Sequence, residues 1–585
     1  MPRGPTEPGL SFEPGGVKLE AELVQALIAL NDERKLLSKK EYPAIRKLFA
    51  DRFEKLHGGQ IRQGLGADAE EMMQWFAEHP EIREEFFNAL DPSTDQLPAA
   101  ASIFNELRKK FPEKIVPYYN LAIATAVVWD SDRRGVYDYS SHARRCKATV
   151  PADLLAAVEN FEYLVSAESL MQGRIQYVPW EFLIYIVNHR TPAAERAWAM
   201  QNYAPKRALY GKCYAEVPYD HQMLNTKSAE ARLNGKDYTL PNLLTFGGVC
   251  AMQADFAARV GKSIGISSEY VRGEAAGGEL HAWVMWVELK QATPTGLSFS
   301  LESFGRYRGD KFYVGQLIDP QTGAQTTDRE LELRLQTVGL DTVAKRHAEL
   351  VMQAYDSIAE QSEMNTTKRL NLLHQVIQYN PGCEDAWLAV ARLARESNGE
   401  KQYSKQFQSV LNQLFITFST IPDFTWKVFG DLAAYYPEGK PRAAMYERLI
   451  QMYETAGRPD LACEARLAWA EMIAPQSREI DAIQGLAASI KKFPGEGRYV
   501  PRLLDKLEQL CAEVKDAEKH LIQFYIDVLP LVPQKRGDSP SPFAIKMFER
   551  ATEVFNRHNQ PQLAAAAQAE LAKIRGGNGQ QRPNN

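Results

Sequence analysis

The chain is 585 residues long, beyond the roughly 250 to 300 that one hydrophobic core sustains, so two to four domains are expected. Hydrophobic residues make up 45% and charged residues 24%, ordinary globular proportions, and the formal charge of −5 argues against a surface built for nucleic acid or an anionic membrane. The six cysteines form no CxxC pair, which disfavours a zinc site and a dense disulfide framework and fits a reducing compartment.

Residues 1–18 begin "MPRGPTEPGLSFEPGG", rich in Pro and Gly and without an apolar signal-like run. A disordered start and a cytoplasmic protein are expected on the sequence as given, with export left open if a signal peptide has been removed. From 19 to 205 apolar residues recur at three- and four-residue spacing, as in "LEAELVQALIALNDERKLLSKKEYPAIRKLFADRF", which predicts a helical arm. The apolar runs "YNLAIATAVVW" and "YVPWEFLIYIV" stop short of the ~20 residues of a membrane span.

Within that arm, "AAASIFNELRKKFPEKIVPYYNLAIATAVVW" predicts a helix closed by Phe-Pro, a short link, and a second helix with an early aromatic. The form returns in a second arm, 341–572, as "TKRLNLLHQVIQYNPGCEDAWLAVARLA" (367–394) and more loosely as "IQGLAASIKKFPGEGRYVPRLLDKLEQL" (483–510). Paired helices of this kind bury a face only when neighbours stack on them. They resemble tetratricopeptide repeats, whose small residues at fixed places are only partly present here; the resemblance implies a concave surface for a peptide or partner protein. The tail, 573–585, is polar and Gly-rich and is expected to be disordered.

Between the arms the period changes. "TFGGVCAMQADFAARVGKSIGI" (245–266) predicts a helix from Cys250, and "SSEYVRGE", "LHAWVMWVEL", "LSFSLESFG" and "KFYVGQLIDP" predict short strands before "TDRELELRLQTVGL" turns helical again. The predicted fold class is α+β: a central domain, 206–340, of a helix and a small antiparallel sheet between mostly α-helical, repeat-like arms. "GEAAGG" (273–278) is read as a loop, since it has neither GxGxxG nor the Lys-Ser/Thr of a phosphate cradle.

A cysteine works as a nucleophile only as thiolate, and an unperturbed thiol is only a few per cent ionised at pH 7. A helix N-terminus favours the charged form, and Gly247 and Gly248 leave room for a substrate carbonyl beside Cys250. His281 opens the strand "LHAWVMWVEL", sharing a face with Trp283 and Met285. An orienting carboxylate is sought on an adjoining strand, where "LSFSLESFG" offers Glu302; Asp319 in "LIDPQTG" is the alternative, although such an Asp more often opens a hairpin turn. Cys146, after two arginines, is a candidate for exposure, and Cys213, Cys383, Cys463 and Cys511 are read as core. Asp220 and His221 are read as a solvated turn, and His142, His189 and His374 as single and uninformative.

"GGVC", its helix, "GIS" with "YVRG", and then "HAWV" resemble the core of the transglutaminase-like superfamily, papain-like enzymes with a Cys-His-acid triad. The nearest likeness is to large bacterial proteins, of the kind found in planctomycetes, that join such a core to helical repeats; the arms lie outside the match. The resemblance implies Cys250 as nucleophile, His281 as base and an acid from the next strand. This chain departs from the family pattern there: Glu302-Ser303 stands where Asp-Pro is usual, and Asp319-Pro320 comes one strand later. On the substrate side the candidates are Gly248, Tyr238 and Asn242, with Trp283 a core residue before it is a platform. The implied activity is acyl transfer or amide hydrolysis on a polypeptide, cross-linking being the less favoured variant. No metal or organic cofactor is implied, and DxDxDG calcium spacing is absent. The alternative is a catalytically inactive scaffold for protein–protein interaction.

Overall fold

The computed structural model describes residues 20–131, 136–171, 175–274, 280–294, 296–306, 313–536 and 539–576. The expected disordered start (1–18), the end of the tail (577–585) and the last four residues of the "GEAAGG" loop (275–278) lie outside the described residues. The architecture is α+β: a mostly helical chain with a five-stranded antiparallel sheet in its middle. No helix among the described residues is long and apolar enough to cross a membrane.

The three helix pairs form where the sequence places them: Leu97–Lys110 with Tyr119–Trp129, Thr366–Tyr379 with Glu384–Glu396, and Glu479–Lys492 with Val500–Glu513. Each first helix stops one or two residues before a proline, which disfavours helical geometry in the residue ahead of it. Tyr119–Trp129 is apolar on every side and buried from Leu121 to Val128, as a helix without a polar face must be.

Two hydrophobic cores divide the chain, and not at residue 205. One runs from Ala50 to Val338, so the N-terminal helices share a core with the central sheet. The other joins Leu23 to Phe49 with residues from Leu333 to Ile574, so the first helix, Ala21–Asp32, packs on the C-terminal arm through Thr342–Gln361. The helix Asp328–Leu340 is the common wall: Leu331, Leu335 and Val338 belong to the first core and Leu333 to the second. A reciprocal cap starts this helix, Thr327 accepting from the Glu330 N–H while the Glu330 carboxylate accepts from the Thr327 N–H. An ionic junction fastens the parts together. Arg346 donates to Glu181 at 2.8 Å and to Glu85 at 2.6 Å, and Glu85 also accepts from Arg46 at 3.1 Å.

The strands are β1 (Ser268–Glu274), β2 (Leu280–Thr293), β3 (Gly296–Phe304), β4 (Gln316–Ile318) and β5 (Gln325–Thr327), in the order β3-β2-β1-β4-β5. β5 is too short for its alternation to show in sequence. Tyr270 lies opposite Val284, Gly273 opposite His281, and Trp286 opposite Glu302. Residues directly opposite share a face, so Ser268, Tyr270, Trp286 and Glu302 point one way and Val271, His281 and Trp283 the other.

The cysteine helix, Cys250–Ser263, lies on the Tyr270 face. Ser268 donates to the Ala258 carbonyl at 3.0 Å, and a Cβ at Gly261 would come within 2.5 Å of the Ser268 hydroxyl oxygen, so helix and strand are in close approach. On the other face, Arg306 lies 5.8 Å from the centre of the Trp283 ring and pairs at 2.7 Å with Asp328, the first residue of the wall helix.

Candidate functional site

The approach to Cys250 is set by backbone. Gly247 has φ +81°, and a Cβ there would stand 2.1 Å from the Pro218 carbonyl oxygen. Gly248 donates its N–H to that same carbonyl at 3.0 Å, and its own oxygen accepts from the Asp220 N–H. The glycine pair therefore docks the 218–220 segment, and the Gly248 N–H is engaged there. Asp220 is a helix cap, accepting from the N–H groups of Met223 and Arg232, and it is buried rather than solvated.

Val249 precedes the helix in extended geometry and gives it no side-chain cap. Cys250 is thus the first residue of a helix whose next thirteen residues are all buried. It is itself partly exposed, whereas the other five cysteines are buried. Burial pushes the thiols of Cys146 and Cys383 up to about 12 and that of Cys511 to about 11, and raises Cys213 and Cys463 further. Cys146, despite its two arginine neighbours, is sealed at 0% exposure in the first core, because its side chain faces inward while Arg144 and Arg145 face out.

A polar cluster occupies the Cys250 side of the sheet. The Tyr270 phenol is held above its ordinary pKa first by burial and then by the charges of Cys250 and Asp255, with Arg272 and Arg145 opposing. It is therefore an O–H donor within electrostatic reach of the sulfur. The His142 ring lies 5.0 Å from the Tyr270 ring, and burial holds its imidazole below the usual value, which favours the neutral form. Behind them Asp255 accepts from Tyr137 at 2.8 Å and from Tyr238 at 3.0 Å. Arg259, wholly buried, donates to Glu195 at 2.8 Å and to Thr191 at 3.1 Å, and lies 3.7 Å from Asp255. Tyr238 gives its single hydroxyl proton to Asp255, and the Asn242 amide donates to the Asp237 carbonyl at 2.8 Å, so each side chain has a structural bond of its own.

The residues expected to complete a triad are not gathered here. His281 is buried with its ring 6.1 Å from that of Trp283, and its Nε2–H donates to the Gly305 carbonyl. By the β1–β2 register it points to the face opposite Tyr270, away from the side that carries Cys250. Trp283 is wholly buried on that same far face, a core residue. Glu302 stands opposite Trp286, five residues along β2 from His281, about 16 Å at strand rise and on the other face; it accepts from the Ser300 hydroxyl at 2.8 Å. Asp319 opens the β4–β5 hairpin, accepting from the N–H groups of Gln321 and Thr322 and from Arg334. It lies beyond the end of β4 that points toward Glu269, whereas His281 is level with Gly273 at the opposite end of β1.

A direct consequence follows for the two carboxylates. Glu302→Gln is expected to change stability by less than ~0.5 kcal/mol and to leave the alkylation rate of Cys250 unaltered. Asp319→Ala removes charge-assisted bonds to two backbone donors and is expected to cost about 1–3 kcal/mol in urea unfolding. Equal, large losses of Cys250 reactivity in both variants would contradict this placement.

His142, Tyr270 and Asp255 carry the surroundings of Cys250, and no sequence motif announces the first of them, which lies 108 positions before the cysteine. Set beside known proteins, the sequence matches no protein-family model and no curated protein.

Proposed function

We propose that the protein performs cysteine-dependent acyl transfer on a polypeptide amide, with hydrolysis as the favoured outcome and Cys250 as nucleophile. The supporting observation is that Cys250 alone of six thiols is partly exposed, at the uncapped start of a helix and beside the Tyr270–His142 cluster. This reading keeps the nucleophile of the transglutaminase-like resemblance and changes its base: His142, reached through the Tyr270 hydroxyl, replaces His281. The thiolate adds to the carbonyl carbon, and the Cys250 N–H at the helix start is the donor in place for the developing oxyanion. The C–N bond then breaks, the amine leaves with the proton that His142 took from the thiol, and water releases the thioester as a carboxylic acid and free thiol. The helix pairs beyond residue 341 hold the polypeptide in extended form.

A second reading, a non-catalytic scaffold, is favoured by one finding: His281, Glu302 and Asp319 are kept apart. Turnover of a mixed fluorogenic peptide-amide library separates the two. Expected are complete loss in Cys250→Ala, a fall in kcat of about 100-fold or more in His142→Ala, and a change of only a few-fold in His281→Ala. Loss in His281→Ala with retention in His142→Ala returns the base to His281. Wild-type protein that neither turns over any peptide nor forms an adduct at Cys250 with an acylating probe establishes the scaffold.

A further inference from the structure

The strand that follows the cysteine helix sets a cation level with Cys250. Only four residues, 264–267, join Cys250–Ser263 to β1, so helix and strand run antiparallel, side by side. The Ser268 hydroxyl meets the Ala258 carbonyl at 3.0 Å, which fixes their relative height. From there, four residues along β1 reach Arg272, about 13 Å at strand rise, and eight residues back along the helix reach Cys250, about 12 Å at helix rise. Arg272 therefore stands beside the start of the helix, and by strand alternation on the Tyr270 face. It is exposed and makes no hydrogen bond or ion pair among the described residues.

A second cation comes from the helix Ser140–Arg145. The ring of His142 lies 5.0 Å from that of Tyr270, and Arg145, three residues on, is on the same side of this helix. Arg145 is exposed; its Nε donates to the Ser228 hydroxyl at 3.0 Å, and it meets no carboxylate among the described residues. Both guanidinium charges act on the Tyr270 phenol, which also feels Cys250. Two acids share this surface. Asp138 accepts from the Ser140 N–H at 2.8 Å and from its hydroxyl at 2.7 Å, and Glu274 is exposed two residues beyond Arg272; neither forms an ion pair with the arginines. In a chain of formal charge −5, two exposed guanidinium groups without acidic partners thus flank the one partly exposed thiol.

We propose that Arg272 and Arg145 are specificity residues that bind a carboxylate of the polypeptide, so that Cys250 acts on amides within about two residues of an acidic side chain or of the C-terminal carboxylate. The proposal rests on Cys250 being the nucleophile. The planar fork of a guanidinium matches a carboxylate in two parallel hydrogen bonds. Reach sets the limit: two residues of extended chain advance about 7 Å, comparable with the length of an arginine side chain.

The test reads charge preference apart from turnover. Alkylation of Cys250 in the full chain by anionic iodoacetate is compared with alkylation by neutral iodoacetamide, each relative to a neutral cysteine peptide, and the quotient cancels the thiolate fraction. At low salt the wild-type quotient is expected to favour iodoacetate at least about 5-fold, to shrink at about 0.5 M salt, and to be lost when Arg272→Gln and Arg145→Gln are combined. In fluorogenic peptide amides, Glu in place of Gln beside the scissile bond is expected to raise kcat/KM at least about 5-fold in the wild type and not in the double variant. Free-acid against carboxamide C termini tell which carboxylate is read. A wild-type quotient of one, or a quotient that the double substitution leaves unchanged, overturns the proposal. Turnover without preference for either carboxylate also overturns it and leaves the chemistry of Cys250 intact, whereas a raised quotient without any turnover keeps the carboxylate site and removes the acyl-transfer reading.

Discussion

Iodoacetamide at pH 7 is expected to alkylate Cys250 of the folded protein at least about 1,000-fold faster than any of the other five cysteines. The contrast has two physical sources that act together. Cys250 is partly exposed, whereas Cys146, Cys213, Cys383, Cys463 and Cys511 are buried in the two cores. A thiol raised to about 12, as for Cys146 and Cys383, has roughly one molecule in 100,000 ionised at pH 7. Mass spectrometry of tryptic peptides after a short pulse gives the ratio directly, and Cys250→Ala is expected to leave the folded protein unlabelled. Comparable labelling of all six would remove the chemical distinction of Cys250 and with it the enzymatic reading. Labelling of Cys250 that drops in His142→Ala and Tyr270→Phe, but not in His281→Ala, would tie its reactivity to the near face of the sheet.

Arg259→Met is the substitution expected to harm the fold most, by about 3–5 kcal/mol in the unfolding free energy read from urea or guanidinium titration. Arg259 is wholly buried in the cysteine helix. Burial opposes its charge, but Glu195, Tyr139 and Asp255 more than compensate and hold its pKa above the ordinary value. Methionine conserves much of the volume and none of the hydrogen bonds, so Glu195 and Asp255 are left as buried carboxylates without their cation. Glu195 is already held above its ordinary pKa by burial, with Arg259 pulling it back down. Removing Arg259 raises it further, so the deficit is expected to shrink as the pH falls and the carboxyl takes a proton. Arg259→Lys is expected to recover only part, because one ammonium cannot span Glu195, Thr191 and the Tyr139 ring, which the guanidinium centre approaches to 3.9 Å. A deficit under ~1 kcal/mol would mean that water compensates these groups and that the cluster behind Cys250 is solvated.

The local elements were legible in the sequence. The start of the cysteine helix falls at Cys250, and β1 and β3 fall within a residue of the runs that predict them, because each segment has a single period and a Gly or Pro at its edge. The relation between strands was not. Placing Glu302 against His281 requires the β2–β3 register, and a slip of one residue moves a side chain to the opposite face. Here the register sets Glu302 beside Trp286 and shifts between Leu289 and Gln291, which no alternation in either strand reveals. Asp319 behaves as its sequence context suggests, as the first residue of a turn. His142 could not be found from sequence, since its relation to Tyr270 depends on a helix of six residues packing against β1 from a distant part of the chain. The boundary near 205 followed a change of periodicity, but helices such as Tyr119–Trp129 have no polar face to turn outward, and they merge with the domain beneath them.

The pairing of the first helix, Ala21–Asp32, with Thr342–Gln361 has a consequence for how the molecule is made. On the ribosome the first helix emerges some three hundred residues before its partner, a wait of about 15–60 s at ordinary synthesis rates. During that interval Leu23, Val24 and Leu27 have nowhere to bury, so the nascent chain carries an exposed apolar stripe suited to chaperone capture. Closing the second core then takes a clasp from the first helix onto the second half of the chain.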